Sequence, residues 1–168
     1  MEQAIVSGIT YALEDAKVTV VNVPDKPGVA ARVFTALAEA NINVDMIIQN
    51  VSEDGATDIS FTVGQDALDT VRTVLEALQA ELKFDRIVTD DAMAKISLIG
   101  AGMKTHPGVA AKMFETLAEN GINIEMISTS SIKISCVIRR DYIEKAANAL
   151  HTAFGLDADM VQRKEGLG

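Results

Sequence analysis

Basic residues, aromatic residues and cysteine are all scarce in this chain of 168 residues. Its 15 Lys and Arg face 24 Asp and Glu, and the net charge of −9 argues against nucleic acid or an anionic membrane as a partner. Aromatic residues make up only 4% and Trp is absent, so the core must be built from Val, Ile, Leu, Ala and Met. Cys136 is the only cysteine, which excludes a disulfide framework within the chain and is typical of a reducing compartment.

Long apolar runs are missing as well. No stretch approaches the roughly 18 apolar residues that a membrane-spanning helix needs, and the acidic beginning of the sequence does not resemble a signal peptide. We therefore expect a soluble cytoplasmic protein that does not bind membranes.

The sequence also lacks the common signatures of catalysis. It contains no phosphate-binding G-x-x-x-x-G-K-[ST] loop, no dinucleotide-binding G-x-G-x-x-G, no pair of cysteines and no His-Glu-x-x-His. Of the two histidines, His151 falls within a predicted helix, where we expect it to be partly exposed, and His106 precedes a Pro-Gly, where it either approaches a ligand or fills a loop. We predict no catalytic residues, no metal and no cofactor.

A repeated segment organises the chain. Pro-Gly-Val-Ala-Ala occurs at Pro27–Ala31 and again at Pro107–Ala111, eighty positions later. Each copy is followed at the same offset by Phe, by Leu-Ala-Glu, and by an Ile-Asn-apolar-acid-Met-Ile run that begins at Ile42 or Ile122. A fixed internal period predicts two related units, and units of about 70 to 80 residues tend to be marginal alone and to pack on a partner.

Hydrophobic periodicity predicts the order β-α-β-β-α-β in the first unit. The strands are expected at residues 17–23, 44–51, 59–63 and 84–89, with one helix from Val29 to about Asn41 and another that Asp66 caps. The second unit repeats this order, with strands at 95–101, 124–128 and 133–138, a helix at 108–120 and a helix that begins at Asp141 and stops at Gly155.

The two ends of the chain complete this arrangement. Residues 157–168 are weak as a strand, so we expect the unassigned strand at residues 4–11 to form the edge of the second unit's sheet. The predicted domains are 12–91 and 92–168, the second completed by residues 1–11. The fold class is α+β, with two ferredoxin-like units that each pack two helices on one face of an antiparallel sheet. The open sheet edge of each unit favours side-by-side pairing with another such unit.

The two Pro-Gly-Val-Ala-Ala turns are the strongest candidates for binding. Glycine permits close approach to the backbone, the amides of a first helical turn have no intrahelical partner, and the helix dipole attracts an anion there. A carboxylate at the first turn, with Asp25 nearby to hold an ammonium group, describes a free α-amino acid. The alternative is that these segments are only well-formed helix starts whose small residues allow close packing, and the sequence leaves both interpretations open.

The surrounding motifs resemble a known family. V-x-D-K-P-G-V-A-A, I-N-V-D-M-I-I-Q-N and T-D-I-S-F-T-V resemble the first ACT domain of aspartate kinases. G-A-G-M-K-T-H-P-G-V-A-A-K-M-F, I-N-I-E-M-I-S-T-S and I-K-I-S-C-V-I resemble the second. The resemblance runs from about Ala4 to Leu156. The catalytic kinase domain of the family is absent, so the chain resembles either a separate small regulatory (beta) subunit or a fragment of the long subunit, and we expect no enzymatic activity.

The resemblance implies a regulatory role in aspartate-family amino-acid biosynthesis. It implies a homodimer in which the first ACT domain of one chain faces the second of the other, and a catalytic alpha subunit as a further partner. Threonine is the expected feedback inhibitor, with lysine as a second candidate. The expected threonine pocket comprises Asp25, Pro27, Gly28, Val29, Ala30 and Gln49 of one chain with Asn123 and Ile124 of its partner.

Each of these residues has an expected role. The amides of Gly28 to Ala30 take the carboxylate, Asp25 and the Asn123 side chain hold the ammonium or hydroxyl group, and Gln49 closes the pocket. Pseudo-symmetry implies a second pocket formed by Asn43, Val44, Asp45, Thr105, His106, Gly108, Val109 and Ala110. There the loop is longer and His106 replaces Lys26, so the ligand and occupancy of this pocket stay open.

Three other functions compete with this one. The first is an ACT-domain pair that senses a small molecule for a different enzyme. The second is a small ferredoxin-like enzyme of acylphosphatase type, which would need an Arg at a phosphate-binding loop, whereas Arg32 falls inside the first helix. The third is RNA binding, which would need aromatic residues on a basic sheet face.

Overall fold

The computed structural model describes residues 5–51, 53–102, 106–156 and 163–164. The strands and helices in chain order are β1 (Ile5–Ala12), β2 (Asp15–Pro24), α1 (Val29–Glu39), β3 (Ile47–Val51), β4 (Ala56–Gly64), α2 (Leu68–Leu82), β5 (Arg86–Asp90), β6 (Met93–Ala101), α3 (Pro107–Glu119), β7 (Met126–Thr129), β8 (Lys133–Arg139), α4 (Ile143–Ala153) and β9 (Arg163–Lys164). They divide into two units. The first unit spans residues 14–91, and the second combines the described residues of 1–13 and 92–168.

The first unit is built on an antiparallel sheet of strand order β3-β4-β2-β5. Its strands form because apolar and polar residues alternate, so that one face of β2 and β4 is buried while the other carries polar side chains. Helices α1 and α2 bury their apolar stripes on that face. Among the core residues are Val18, Val20, Val33, Leu37, Ile59, Phe61, Val71 and Leu75.

The second unit repeats this plan around a sheet of order β7-β8-β6-β1-β9. Strand β1 pairs antiparallel with β6 and takes the position that β5 has beside β2 in the first unit. Helices α3 and α4 complete a second core that includes Ile9, Ile96, Leu98, Met113, Leu117, Cys136, Ile138 and Leu150. The α+β class with two ferredoxin-like units is therefore confirmed.

The edge of this second sheet differs from the expectation. Arg163–Lys164 of the C-terminal segment forms the short strand β9, which pairs in parallel with Thr10 and Tyr11 of β1. Strand β1 is thus an interior strand of the described sheet, and residues 12 and 13 belong with the second unit. The rest of the segment after Leu156 lies outside the described residues.

Three of the predicted strands begin too early: β3, β7 and also β5, which begins at Arg86 and not at residue 84. Strand β3 begins at Ile47 and β7 at Met126. A residue just before each strand already forms a backbone hydrogen bond to the neighbouring strand of the sheet. The amide of Asp45 donates to the Thr62 carbonyl over 3.0 Å, while the Met46 amide donates to the Thr62 hydroxyl instead of a backbone group. Because the Met46 amide bonds a side chain, the regular backbone pairing of β3 with β4 starts only at Ile47.

The predicted helix caps and the exposure of His151 are also wrong. Asp66 and Asp141 lie within short 3₁₀ turns before α2 and α4, and neither helix has a side-chain cap. His151 is buried, since it follows Ala147 by one helical turn on the face of α4 that packs on the core. The helix stop at Gly155 is confirmed, because this residue follows α4 with a φ of +68°.

Candidate ligand-binding site

A cleft of about 490 Å³ opens at the start of α1 in the first unit. Its lining residues come from the end of β2, the turn before α1, the first turn of that helix, and strands β3 and β4. They are Pro24, Asp25, Lys26, Pro27, Gly28, Val29, Ala30, Gln49, Thr57 and Ile59. The structure therefore brings together Asp25, Pro27 to Ala30 and Gln49, which are the six first-unit residues of the predicted threonine pocket.

Backbone hydrogen bonds hold the turn that forms the rim of the cleft. The Asp25 amide donates to the Gly55 carbonyl over 2.9 Å, which ties the end of β2 to the turn between β3 and β4. The Lys26 amide donates to the Pro24 carbonyl over 3.0 Å. Gly28 then takes a φ of +93° and directs the chain into the helix, a conformation that L side chains rarely adopt.

The first turn of α1 provides amide donors at this rim. The first helical bond runs from the Arg32 amide to the Gly28 carbonyl over 2.9 Å. Within the described part of the chain, the amides of Ala30 and Ala31 donate to no acceptor, as is normal at a helix start. Val29 departs from the expectation, because its amide already donates to the Lys26 carbonyl over 3.3 Å. The Gly28 amide likewise donates to no acceptor among the described residues, so the donors available to a ligand are the amides of Gly28, Ala30 and Ala31.

Strands β3 and β4 form the floor of the cleft. Gln49 pairs with Ile59 across the two strands, so both side chains lie on the face that carries the helices. Ile59 is buried and apolar, while Thr57 is buried and donates its hydroxyl to the Asn50 carbonyl. The floor thus presents one exposed amide, from Gln49, beside apolar surface.

Sequence reasoning missed four residues of the lining: Pro24, Lys26, Thr57 and Ile59. Thr57 and Ile59 could have been found from the alternation of residues 57–63, because they share the buried face with Phe61. Pro24 and Lys26 flank Asp25 in the turn, but nothing in the sequence indicates that their side chains border a cleft.

The remaining predicted residues lie elsewhere. Asn123 is exposed and Ile124 packs on the second core, both between α3 and β7 of the second unit. Of the predicted second pocket, Asn43, Val44 and Asp45 belong to the first unit, and His106, Gly108, Val109 and Ala110 belong to the second unit. Thr105 lies outside the described residues. The pairings of these groups across two chains stay predictions.

The second Pro-Gly turn has a different local geometry. Helix α3 begins at Pro107 itself, and His106 is its N-cap residue. The Nδ1 atom of His106 lies 2.8 Å from the Gly102 carbonyl, which fastens the ring to the preceding loop. This contact supports the loop-filling role of His106 that the sequence left open.

The described residues offer little support for a phosphatase site, a reactive cysteine, a metal site or a membrane-spanning helix. The Arg32 guanidinium donates to Glu81 of α2 over 2.9 Å and is not at the turn, which disfavours an acylphosphatase-type site. Burial raises the pKa of the Cys136 thiol from 9.0 to about 12, so it is a poor nucleophile. No cluster of three metal-ligating acidic, His or Cys residues occurs in the described ranges. No helix within those ranges is long and apolar enough to span a membrane.

Two family models match the chain, and both describe ACT domains. One matches residues 17–80 and the other residues 96–154. The chain is 52% identical over 161 residues to an aspartokinase of Mycolicibacterium smegmatis, a match that covers 95% of this chain and 38% of that protein. It is 50% identical over 158 residues to an aspartate kinase of Pseudomonas fluorescens, covering 94% and 38%. The chain thus spans 38% of the length of these curated relatives.

Solved structures resemble the chain over nearly their whole length. A crystal structure of aspartokinase alpha and beta subunits has a chain that is 49% identical, with a TM-score of 0.85, covering 90% of this chain and 99% of that one. The ligand-free regulatory subunit of aspartate kinase from Thermus thermophilus is 42% identical with a TM-score of 0.85, covering 89% and 98%.

Proposed function

This chain belongs to the family of aspartate kinase regulatory subunits built from two ACT domains, and from that premise we propose that it is a threonine sensor for feedback inhibition. Threonine binds in the α1 cleft, and binding changes the activity of a catalytic aspartate kinase subunit. The chain itself carries no kinase activity. Lysine is the second candidate effector, and titration with both amino acids decides between threonine alone and concerted control.

One observation carries this proposal: the cleft combines free amide donors, a carboxylate and an amide side chain within one pocket. Its volume of about 490 Å³ falls in the range of roughly 300–1,000 Å³ that small-molecule sites occupy. The amides of Ala30 and Gly28 receive the threonine carboxylate, aided by the α1 dipole. Asp25 holds the ammonium group, and Gln49 hydrogen-bonds the hydroxyl group from the floor.

Strand β3, which lines the cleft through Gln49, is an edge strand of its sheet, and a second copy of the chain pairs with it there. Strand β3 pairs with β4 alone among the described strands. It exposes Ile47 and Val51, with relative exposures of 52% and 65%, on the same face as Gln49. An unpaired strand edge with apolar side chains favours pairing with another chain. In this homodimer, Asn123 and Ile124 of the partner chain complete the threonine pocket.

Regulation follows from burial of the ligand between two chains. A ligand shifts an equilibrium only by its differential affinity for the two states, and threonine favours the dimer arrangement that encloses it. A coupling free energy of about 1 to 3 kcal/mol, or roughly 5- to 150-fold, is ordinary for such control. The kinase subunit is inhibited if it is less active in the enclosed arrangement.

Reconstitution with a catalytic subunit tests this function. The wild-type chain is mixed with the catalytic subunit of aspartate kinase, and aspartate phosphorylation is measured against threonine concentration. We expect co-elution in size-exclusion chromatography and inhibition by threonine, and no inhibition with a chain that carries Asp25→Ala. Stable threonine binding without association with the kinase would instead favour a sensor for a different enzyme. Equal inhibition by both chains would contradict the proposed cleft.

A further inference from the structure

Asn22 lies at an irregularity of strand β2, two residues before the rim of the cleft. Val20 pairs with Ile59 and Val23 pairs with Thr57, so Val21 and Asn22 together oppose the single residue Asp58. This extra residue makes a β-bulge. Asn22 has a φ of +62°, in the left-handed region that few residues other than Gly, Asn and Asp adopt readily.

The bulge changes which residues of β2 face the core. Before it, Val18 and Val20 are buried, and after it Val23 is buried, although Val23 is an odd number of positions further along. A shift of one residue exchanges the two faces of a strand. In a regular strand, Asn22 would face the apolar core and Val23 would face away from it. The orientation of Pro24 and Asp25, which line the cleft, therefore depends on the bulge.

Two carboxylates hold Asn22 in this conformation. Its backbone amide donates to Oδ1 of Asp58 over 2.8 Å, and its side-chain Nδ2 donates to Oδ2 of Asp85 over 2.9 Å. The Asp85 amide in turn donates to the Val21 carbonyl over 2.9 Å. Hydrogen bonds to ionised groups are shorter and stronger than neutral ones. Asn22 is thus fixed from β4 on one side and from the start of β5 on the other.

We propose that Asn22 is a positioning residue for the ligand cleft, acting through the bulge that Asp58 and Asp85 hold. It sets the direction in which β2 delivers Pro24 and Asp25 to the turn. The bond from the Asp25 amide to the Gly55 carbonyl is the nearest consequence, because it forms only if β2 ends in this register. The role in ligand binding rests on the proposed function of the cleft, while the effect on the turn does not.

A charge exchange between Asn22 and Asp85 tests the proposal in the full chain. Asn22→Asp removes the side-chain donor and places two carboxylates together. Asp85→Asn keeps an acceptor for Asn22, and the double variant restores a donor and an acceptor in reversed order. Three quantities are measured for each variant: hydrogen exchange of the Asp25 amide by NMR without ligand, threonine affinity by calorimetry, and the melting temperature.

The expected pattern is rescue. Asn22→Asp speeds exchange of the Asp25 amide and weakens threonine binding about tenfold. Asp85→Asn keeps an acceptor but loses its charge, so it changes both quantities in the same direction by a smaller amount. The double variant returns both quantities toward wild type. A lowered melting temperature with unchanged exchange and affinity would mean a structural role only and would overturn the proposal. So would a double variant as impaired as Asn22→Asp.

The experiment also covers an Asn22→Asp variant that does not fold and a wild-type chain that binds no threonine. If Asn22→Asp does not fold, Asn22→Gly replaces it, because glycine tolerates the positive φ and lacks only the amide side chain. Faster exchange at Asp25 in that variant supports the proposal, and wild-type exchange contradicts it. If the wild-type chain binds no threonine, the proposed function fails, yet the exchange data still decide whether Asn22 positions the turn.

Discussion

Gly28 and Gly108 occupy the same place in the two Pro-Gly-Val-Ala-Ala segments, yet their backbones differ. Gly28 precedes α1 as its N-cap with a φ of +93°, whereas Gly108 lies inside α3, which already begins at Pro107. Apart from the adjoining residues and the backbone of the same helix, no described atom lies within 4 Å of where a Cβ would stand at either position. The two glycines therefore form a matched pair in which backbone conformation alone differs.

Alanine at these two positions is predicted to change stability in opposite directions. Gly28→Ala forces an L side chain into positive φ and lowers the free energy of unfolding by about 1 to 2 kcal/mol. Gly108→Ala gains helix propensity and raises it by up to about 1 kcal/mol. Urea unfolding monitored by circular dichroism measures both changes. Equal effects of the two substitutions would show that the first turn does not need its left-handed residue.

Ala30→Thr is predicted to weaken threonine binding by about tenfold or more, because the added atoms fill the space that the ligand carboxylate needs. Ala31→Thr is the matched control, since it makes the same change in the same helical turn at an exposed residue that does not line the cleft. Ala30 is partly buried against the first core, so the unfolding free energy of both variants is measured beside the affinity. Calorimetric titration compares the affinities, and an unchanged affinity in Ala30→Thr would place the ligand elsewhere.

Asp25→Asn is predicted to fold normally and to lose at least about tenfold in threonine affinity, because the ammonium group loses its charged acceptor. Asp25 is exposed and makes its structural bond through the backbone amide, which the substitution keeps. Asp141→Asn in the second unit is the control for the change in net charge. A wild-type binding curve for Asp25→Asn would rule out its role.

The buried thiol of Cys136 predicts a loss of stability at alkaline pH. Its pKa is raised from 9.0 to about 12 in the folded chain, so the unfolded chain loses this proton first. The stabilisation is complete below pH 9 and is lost as pH rises from about 9 to about 12. Between pH 8 and pH 10 wild type should lose about 1.4 kcal/mol more than Cys136→Ala.

Urea unfolding at the two pH values measures that difference. Cys136→Ala will be less stable at every pH because a cavity forms in the second core, so only the change with pH is compared. Parallel pH dependences of the two proteins would contradict the raised pKa.

Much of this fold was accessible to sequence reasoning because local and global signals agree. The repeat from Pro27 and Pro107 predicts two similar units, and the alternation of apolar and polar residues in 58–63 predicts β4. The six first-unit residues of the predicted pocket meet in one cleft because the turn before α1 and strand β3 both border β4.

The errors arise where side chains and distant segments decide the backbone. The late start of β3 depends on the Thr62 hydroxyl, and the bulge at Asn22 depends on carboxylates 36 and 63 positions away. Burial of His151 depends on the packing of α4, and the pairing of Arg163–Lys164 with β1 joins opposite ends of the chain. Hydrophobic periodicity within one segment cannot predict contacts between residues so far apart in the sequence.

The most direct test of the central claim is calorimetric titration of the purified chain with threonine, with lysine, and with both, alongside its mass in solution. We predict saturable threonine binding at about one or two sites per chain with tighter dimers, and at about 100 times the dissociation constant a stabilisation of roughly 2.7 kcal/mol. A lysine effect only in the presence of threonine would indicate concerted control. No response to threonine, alone or with lysine, would contradict the account of this chain as a threonine sensor.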